Sequence, residues 1–303
     1  ERMGDAELLQ AVAGCDLFAK LSPAQKERVV KAFQSVGHTV GYMGDGINDA
    51  PPLRQADVGV SVDTAVDIAK ETADIVLLKK DLMVLEEGVL EGRRTFGNIV
   101  KYIKMAASGN FGNMISVVAS SILLPFLPML PVQILAQNLL CDFSQMGIPF
   151  DSVDQEYMQK PRKWETRSIQ SFMAYMGPLS SVFDLICFAA LWWGLGANRS
   201  ALAPLFQSGW FVYGTVSQVL VIHMIRTAKL PFLQSKPSLP LVFSTVLVAA
   251  AALGVGFTNF AIGLDMHPLP PMFLFWLVAI LAGYLLCVQA MKKIYVKRYG
   301  EWM

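Results

Sequence analysis

The stretch "YMGDGINDAPPLRQADVGVSV", residues 42–62, decides the fold of the first part of the chain. One apolar run ends at "YM", a glycine-rich turn with two aspartates follows, and a second apolar run, "VGVSV", closes the stretch. Gly44 and Gly46 flank Asp45, and glycine permits close approach of a ligand because it has no side chain. The pattern predicts a strand, a polar turn with a short helix, and a second strand.

Strand and helix patterns alternate on both sides of this turn. The segments "DLFAKL", "TVGYM", "VGVSV" and "DIVLL" predict strands. "SPAQKERVVKAFQSVG" predicts a helix with Ser22 as its N-cap, and "DTAVDIAKETA" predicts a helix capped by Asp63. Such alternation predicts a parallel α/β sheet, in which ligands bind at the carboxyl ends of the strands. The turn at residues 44–49 lies at such an end.

The rest of the chain is strongly apolar. Of the 303 residues, 54% are hydrophobic and 16% charged, and the mean hydropathy is +0.44. Soluble domains carry about 25% charged residues, and a helix of about 20 apolar residues spans a bilayer. The pattern predicts six transmembrane helices, at about 92–124, 129–150, 168–195, 204–228, 238–262 and 270–298.

Basic residues predict the orientation of these helices. They concentrate in the second and fourth connections and in the C-terminal tail, whereas the opposite side has Arg199 alone. Because positive residues stay cytoplasmic, we expect the N-terminal domain and the C-terminus to be cytoplasmic. The four scattered cysteines indicate neither a zinc site nor a disulfide framework, and no basic run with aromatics suggests nucleic acid. The polar start without an initiator Met leads us to expect a fragment of a longer protein.

The turn contains side chains suited to a metal and a phosphate. Mg²⁺ prefers hard oxygen ligands, and Asp45 offers a carboxylate between two glycines. Asn48 and Asp49 are placed to orient water or a phosphoryl group, and Lys26 to balance phosphoryl charge as a fixed cation. A tight turn whose Asp and Asn cap a helix, with Lys26 on an exposed helix, is the structural alternative.

Oxygen donors also occur inside the first two predicted spans. Asn110 and Asn113 are three residues apart, and Asn138 and Asp142 are four apart, so each pair shares a helix face. Together they offer three amide oxygens and one carboxylate, a set that suits a hard divalent ion. Asp184 is a further mid-span acid and a tentative member of this site. The alternatives are interhelical hydrogen bonds for the Asn residues and a paired buried carboxylate for Asp184.

Two segments resemble a known family. "GDGINDAPPLRQADVGVSV" closely resembles the hinge motif of P-type ATPases, and "FAKLSPAQKERVV" resembles the lysine-bearing segment before it. The similarity continues through all six spans and is greatest to bacterial magnesium-transporting P-type ATPases. It implies a partial phosphorylation domain at 1–91, with a parallel haloacid-dehalogenase-like sheet, and an all-α six-helix transmembrane bundle at 92–303.

The resemblance also implies roles for individual residues. Lys26 would contact the phosphoryl group, Asp45 with Asp49 would bind the catalytic Mg²⁺, and Asn48 would support the phosphoryl site. Gly44 and Gly46 would be part of the cofactor-binding turn. In the family, ATP phosphorylates an aspartate and dephosphorylation drives alternating ion access, here implying Mg²⁺ import.

The sequence departs from the family by omission. The D-K-T-G motif of the phosphorylated aspartate, the T-G-E-S loop and the nucleotide-binding domain are absent from these 303 residues. We therefore expect this chain alone to be inactive, with ATP bound mainly by the absent nucleotide domain. The expected partners are transported Mg²⁺, the lipid bilayer with anionic lipid, and the N-terminal part of the pump. The expected location is the bacterial inner membrane.

Three other functions remain open from the sequence. A calcium or proton pump would use the same scaffold. A membrane-anchored phosphohydrolase of the haloacid dehalogenase type would share the G-D-G-x-N-D turn, although an anchor needs no buried Asn and Asp at ion-site spacing. A passive or regulatory membrane protein is the third.

Overall fold

The computed structural model describes residues 3–79, 81–300 and Trp302. Contacts divide the chain into two compact units, Glu1–Leu90 and Glu91–Met303. In the described residues, the first unit contains helices and a small sheet, and the second is helical.

A three-stranded parallel sheet lies at the centre of the first unit. Its strands are β1 (Gly41–Met43), β2 (Val58–Val62) and β3 (Ile75–Leu77), with β2 in the middle. Both strand pairs are parallel, and the register places Tyr42 opposite Gly59. The parallel sheet predicted from the alternating pattern is therefore confirmed.

Helices accompany the sheet in the described part of this unit: α1 (Asp5–Gly14), α2 (Pro23–Ser35), α3 (Ala50–Gln55) and α4 (Asp67–Thr72). The predicted N-cap of α2 is confirmed. The Ser22 hydroxyl accepts a hydrogen bond from the Gln25 amide, and the Gln25 side chain accepts one from the Ser22 amide. This reciprocal pair satisfies two amides that the helix itself leaves unpaired.

Two local predictions are wrong. Residues 16–21, "DLFAKL", form no strand, because Lys20 has a φ of 58° that interrupts an extended run. Asp63 caps no helix, because its amide donates to the Leu77 carbonyl at the end of β3. The chain turns there, and α4 begins only at Asp67, after Val66.

Further helices follow along the described chain: α5 (Leu82–Leu123), α6 (Pro131–Gln145), α7 (Gln155–Met158), α8 (Thr166–Ala189), α9 (Ala203–Ile225), α10 (Leu239–Phe257) and α11 (Met272–Tyr299). A π-helical turn, Ala190–Gly194, extends α8. The 42 residues of α5 form one uninterrupted helix.

Four described helical segments are long and apolar enough to cross a membrane: Thr166–Gly194, Ser200–Ile225, Leu239–Phe257 and Met272–Tyr299. α6 falls short because it has only 15 residues. The second half of α5 contains Asn and Ser residues that lower its hydropathy. The Asn residues that suggest an ion site thus weaken the membrane signal of α5, and the count of six spans stays a prediction.

The core of the second unit forms around α9. Phe206 and Phe211 of this helix are fully buried, and Trp210 packs edge-on against Phe188 of α8. α5 and α8 approach closely through glycines: a Cβ built on Gly112 would lie 2.9 Å from the Gly177 carbonyl oxygen. This contact fixes how α5 is turned toward its neighbours, since close helix packing in membranes depends on small residues.

A buried ionic cluster holds the loop after α6. The Asp151 carboxylate accepts from Lys101 Nζ at 2.8 Å and from Arg226 Nε at 2.7 Å, and these side chains are at most 3% exposed. Burial alone would raise the pKa of Asp151, but hydrogen bonds from Arg226 and Lys101 outweigh it and lower that pKa. The cluster therefore joins α5, this loop and the end of α9 through charge.

Candidate functional site

The aspartate-containing turn is fixed to the sheet at the carboxyl end of β1. The Gly44 amide donates to the Val60 carbonyl at 3.0 Å, and the Ser61 hydroxyl donates to the Gly44 carbonyl at 2.9 Å. A short 3₁₀ segment, Ile47–Asp49, then leads into α3. The sequence folds this way because the glycines allow the chain to turn sharply where the strand ends.

Asp49 lies at the centre of a hydrogen-bonded group in this turn. Its Oδ1 accepts from Lys26 Nζ at 2.7 Å and from the Tyr42 hydroxyl at 2.8 Å, and its Oδ2 accepts from the Gly46 amide at 3.2 Å. Partial burial opposes ionisation of Asp49, but these donors outweigh it and lower the pKa. The same hydrogen bond raises the pKa of Lys26, so the pair stays ionised at neutral pH.

Gly44 leaves room for Asp49 itself. A Cβ built on Gly44 would lie 2.4 Å from the Asp49 Cβ, a distance no real side chain tolerates. A Cβ on Gly46 would lie 3.5 Å from Asp49 Oδ2, which is ordinary contact. The absence of a side chain is therefore needed at Gly44 for the packing of Asp49.

Asp45 is exposed and borders a cavity of about 440 Å³ that Met43, Asp81 and Leu82 also line. Asn48 is likewise exposed on the turn. Sequence reasoning missed Tyr42 and Asp81. Tyr42 lies in β1, within the same stretch as Asp49, and gave no signal of its own. Asp81 follows β3 of the same sheet, so a polar residue after that strand was an available signal.

A cavity of about 200 Å³ lies among the helices of the second unit. Asn110 of α5 and Asn138 and Asp142 of α6 line it, so the structure brings together three predicted side chains from two helices. Further polar side chains line the same space: Ser108, Gln145, Ser180, Ser217, Gln218 and Tyr284. We call this space the cation cavity.

Two predicted residues do not line the cation cavity. Asn113 is three residues from Asn110, which corresponds to about 60° of rotation around the helix and is enough to turn it away. Asp184 is 3% exposed and accepts hydrogen bonds from the Ser116 hydroxyl and Trp210 Nε1. Its geometry is that of a buried carboxylate linking α5, α8 and α9.

The donors of the cation cavity are mainly hard oxygens. Asp142 is the one carboxylate among the described residues that line it, and the remaining polar groups are mainly amides and hydroxyls. Within residues 3–79, 81–300 and 302, no group of three or more His, Cys, Asp and Glu is placed to hold a metal. Cys141 also lines the cavity, but a donor set dominated by oxygens and lacking His suits Mg²⁺ or Ca²⁺ better than a transition metal.

Comparison with known proteins gives one family match and many similar chains. Residues 126–294 match the family described as "Cation transporting ATPase, C-terminus". The chain is 52% identical over 302 residues to "Magnesium-transporting ATPase, P-type 1" of Salmonella typhimurium, covering 100% of this chain and 33% of that protein. Identity to the protein of the same name in Escherichia coli K12 is 54% over 300 residues, covering 99% and 33%.

Calcium-transporting relatives match less of the chain. "Calcium-transporting ATPase" of Bacillus subtilis is 37% identical over 163 residues, covering 53% of this chain and 18% of that protein. The chain spans about a third of the length of the magnesium-transporting relatives that it matches.

Proposed function

The chain belongs to the family of cation-transporting ATPases whose C-terminal region it matches, and we propose that the complete protein transports Mg²⁺ into the cytoplasm. ATP hydrolysis through an aspartyl-phosphate would drive the transport. The observation that carries the proposal is the cation cavity, where Asn110, Asn138 and Asp142 from two helices meet. Magnesium is favoured over calcium because the magnesium-transporting relatives match essentially the whole chain.

In this proposal residues 1–91 are the end of a haloacid-dehalogenase-like phosphorylation domain. Residues 92–303 form a transmembrane domain of six helices in the bacterial inner membrane, with both ends of this chain cytoplasmic. Four apolar helices among the described residues and the distribution of basic residues support this arrangement. The rest of the pump would supply the phosphorylated aspartate and most of the ATP site, and the surrounding lipid, including anionic lipid, would be a further partner.

The turn after β1 is suited to phosphoryl chemistry. Asp45 would hold the catalytic Mg²⁺, since its exposed carboxylate borders a cavity that also contains the carboxylate of Asp81. When bound, Mg²⁺ neutralises charge on phosphoryl oxygens. Asp49 already accepts three hydrogen bonds, so its larger role would be to position Lys26, although an oxygen of Asp49 remains a candidate ligand.

Lys26 would supply a fixed positive charge to the phosphoryl group. Its ammonium is held by Asp49 before any ligand arrives, so little reorganisation is needed when phosphoryl charge develops. Asn48, exposed on the same turn, would orient the phosphoryl group or a water. Gly44 and Gly46 shape the turn that holds these groups.

The cation cavity would bind the transported ion. Amide oxygens of Asn110 and Asn138 would replace water around the ion, and the Asp142 carboxylate would offset its charge. α5 is one continuous helix from Leu82 to Asn110, about 42 Å at 1.5 Å per residue. Asn113 and Asp184 lie outside this set in our proposal.

Mg²⁺ uptake by the complete pump tests the proposal, measured in cells that lack other magnesium transporters. We expect Asp142→Asn to abolish uptake while phosphorylation by ATP persists, and the exposed loop variant Asp265→Asn to transport normally. Unchanged uptake with Asp142→Asn would remove Asp142 from the site. ATPase activity stimulated by Ca²⁺ or H⁺ at fixed Mg²⁺, without Mg²⁺ uptake, would overturn the cargo.

A further inference from the structure

A second cavity adjoins the cation cavity, between α5 and the end of α6. Its volume is about 410 Å³, and Asn98, Asp142, Gln145 and Met146 are among its lining residues. Asp142, Gln145 and Tyr102 line both cavities, so the two spaces share a wall. We call the second space the release cavity.

Two amide oxygens, each on a residue that lines the release cavity, have no hydrogen-bond partner among the described residues. They are Asn98 Oδ1 and Gln145 Oε1, and both atoms are buried. An unsatisfied buried acceptor is unfavourable because it has lost its hydrogen bond to water, so two of them beside one cavity require a reason. A cation bound between them would satisfy both.

The orientation of the Asn98 amide is fixed by its surroundings. Asn98 is 3% exposed, and its Nδ2 donates to the carbonyl oxygens of Pro149 and Asp151, each at 3.0 Å. Exchanging the amide nitrogen and oxygen would place Oδ1 against two carbonyl oxygens, so the network assigns them as they stand. The nitrogen holds the loop after α6, and the oxygen is left for a ligand.

Gln145 and Asn98 lie farther along α6 and α5, in one direction from Asp142 and Asn110. Gln145 is three residues beyond Asp142 on α6, an axial rise of about 4.5 Å. Asn98 precedes Asn110 by twelve residues on α5, a rise of about 18 Å. The oxygens thus continue from the cation cavity toward the end of α5 that is cytoplasmic in the proposed orientation.

We propose that Asn98 Oδ1, Gln145 Oε1 and the Asp142 carboxylate form a second divalent-cation site, a station between the cation cavity and the cytoplasm. The identity of the ion as the transported one rests on the proposed function. Lys101 lies one turn from Asn98, in a cluster of two cations and one carboxylate. The resulting positive charge weakens cation binding, as suits a station from which the ion departs.

Protection of an introduced cysteine tests the station directly. Met146 lines the release cavity and is 65% exposed, so Met146→Cys in the complete pump provides a thiol for a small methanethiosulfonate reagent. We expect millimolar Mg²⁺ alone to slow its labelling. Adding Gln145→Met should raise the half-protecting Mg²⁺ concentration at least about tenfold, and adding Gln145→Glu should lower it. Gln159→Cys, exposed elsewhere, should label at one rate with or without Mg²⁺.

The possible results separate this inference from the proposed function. The station would be overturned if Mg²⁺ did not change the labelling rate of Met146→Cys. It would also be overturned if Mg²⁺ slowed the labelling of Gln159→Cys to the same extent. If Gln145→Met does not fold, Gln145→Glu decides, because a carboxylate that fails to strengthen protection contradicts the site. Mg²⁺ uptake into vesicles that contain the same pump tests transport independently. Protection without uptake would support the second site and contradict the proposed Mg²⁺ transport. Uptake without protection would support the transport and contradict the second site.

Discussion

The two units hold their charged side chains in different ways. In the first unit, Lys26 and Asp49 form a pair whose side chains are 33% and 13% exposed, beside a turn open to ligands. In the second unit, Asp151 pairs with Lys101 and Arg226, and all three are at most 3% exposed. The charged pair of the first unit is partly open to solvent, whereas the buried cluster of the second unit joins segments of the chain.

The difference has an energetic consequence. Partly exposed pairs contribute about 0–1 kcal/mol to stability, whereas breaking a buried pair costs about 3–5 kcal/mol because a charge is left without its partner. Substitutions at the turn should therefore reduce activity more than stability, and substitutions in the buried cluster should do the opposite. Four experiments would sharpen or break this contrast.

The largest effect on stability is expected from Asp151→Ala. Lys101 and Arg226 would remain buried without a counter-ion, so unfolding should become easier by about 3–5 kcal/mol. Thermal unfolding of the purified protein in detergent, followed by tryptophan fluorescence, measures the change. Asp5→Ala, which removes an exposed pair with Arg28, is the matched control and should leave the midpoint in place. Equal midpoints for both variants would break the comparison.

Lys26→Met should act on activity instead. Removing a positioned cation that stabilises developing charge typically lowers turnover by about 10²–10³-fold. The ATPase rate of the complete pump measures this, and its thermal midpoint should hardly move. Lys31→Met lies on the same helix and removes only a surface pair with Glu27, so its rate should stay near that of the unmodified pump. A Lys26→Met enzyme of normal rate would contradict the proposed role.

Gly44→Ala should destabilise the first unit by about 1–3 kcal/mol, because its Cβ would overlap the Asp49 side chain. Gly88→Ala should instead increase stability. Gly88 lies in α5 with open space where an alanine methyl group would sit, so alanine should add about 0.5–1 kcal/mol of helix stability. The thermal midpoint should fall in Gly44→Ala and rise in Gly88→Ala. An unchanged midpoint for Gly44→Ala would show that the Asp49 side chain can shift.

The smallest effect is a pH dependence of the Lys26–Asp49 pair. The folded pKa of Asp49 lies below its ordinary value of 3.8, so its contribution is present above pH 3.8 and is lost as pH falls through the folded pKa. The contribution is under about 1 kcal/mol because the pair is partly exposed. Midpoints of the unmodified protein and Asp49→Asn should differ at pH 7 and converge in acid. Tyr42→Phe should lower the midpoint at pH 7 by part of this difference. A difference between the unmodified protein and Asp49→Asn that persists in acid would exclude ionisation of Asp49 as its cause.

Features that depend on neighbouring residues were predictable from the sequence. The Ser22 cap and the parallel strands around the turn follow from residues close in sequence. Asp63 failed as a cap because its amide bonds to Leu77, fourteen residues away, which no local pattern reveals. In the same way, Tyr42 and Lys26 reach Asp49 only once β1 and α2 are placed beside the turn.

The sequence by itself determined most of the elements, the apolar helices and the hard oxygen donors within them, because propensity and hydropathy are properties of short segments. Only the tertiary structure decided which oxygens share a space. Asn110 lines the cation cavity and Asn113 does not, and among the described residues the side-chain oxygens of Asn98 and Gln145 have no hydrogen-bond partner. The reason is that the rotation of a helix is set by packing against distant segments, as where Gly112 of α5 meets Gly177 of α8.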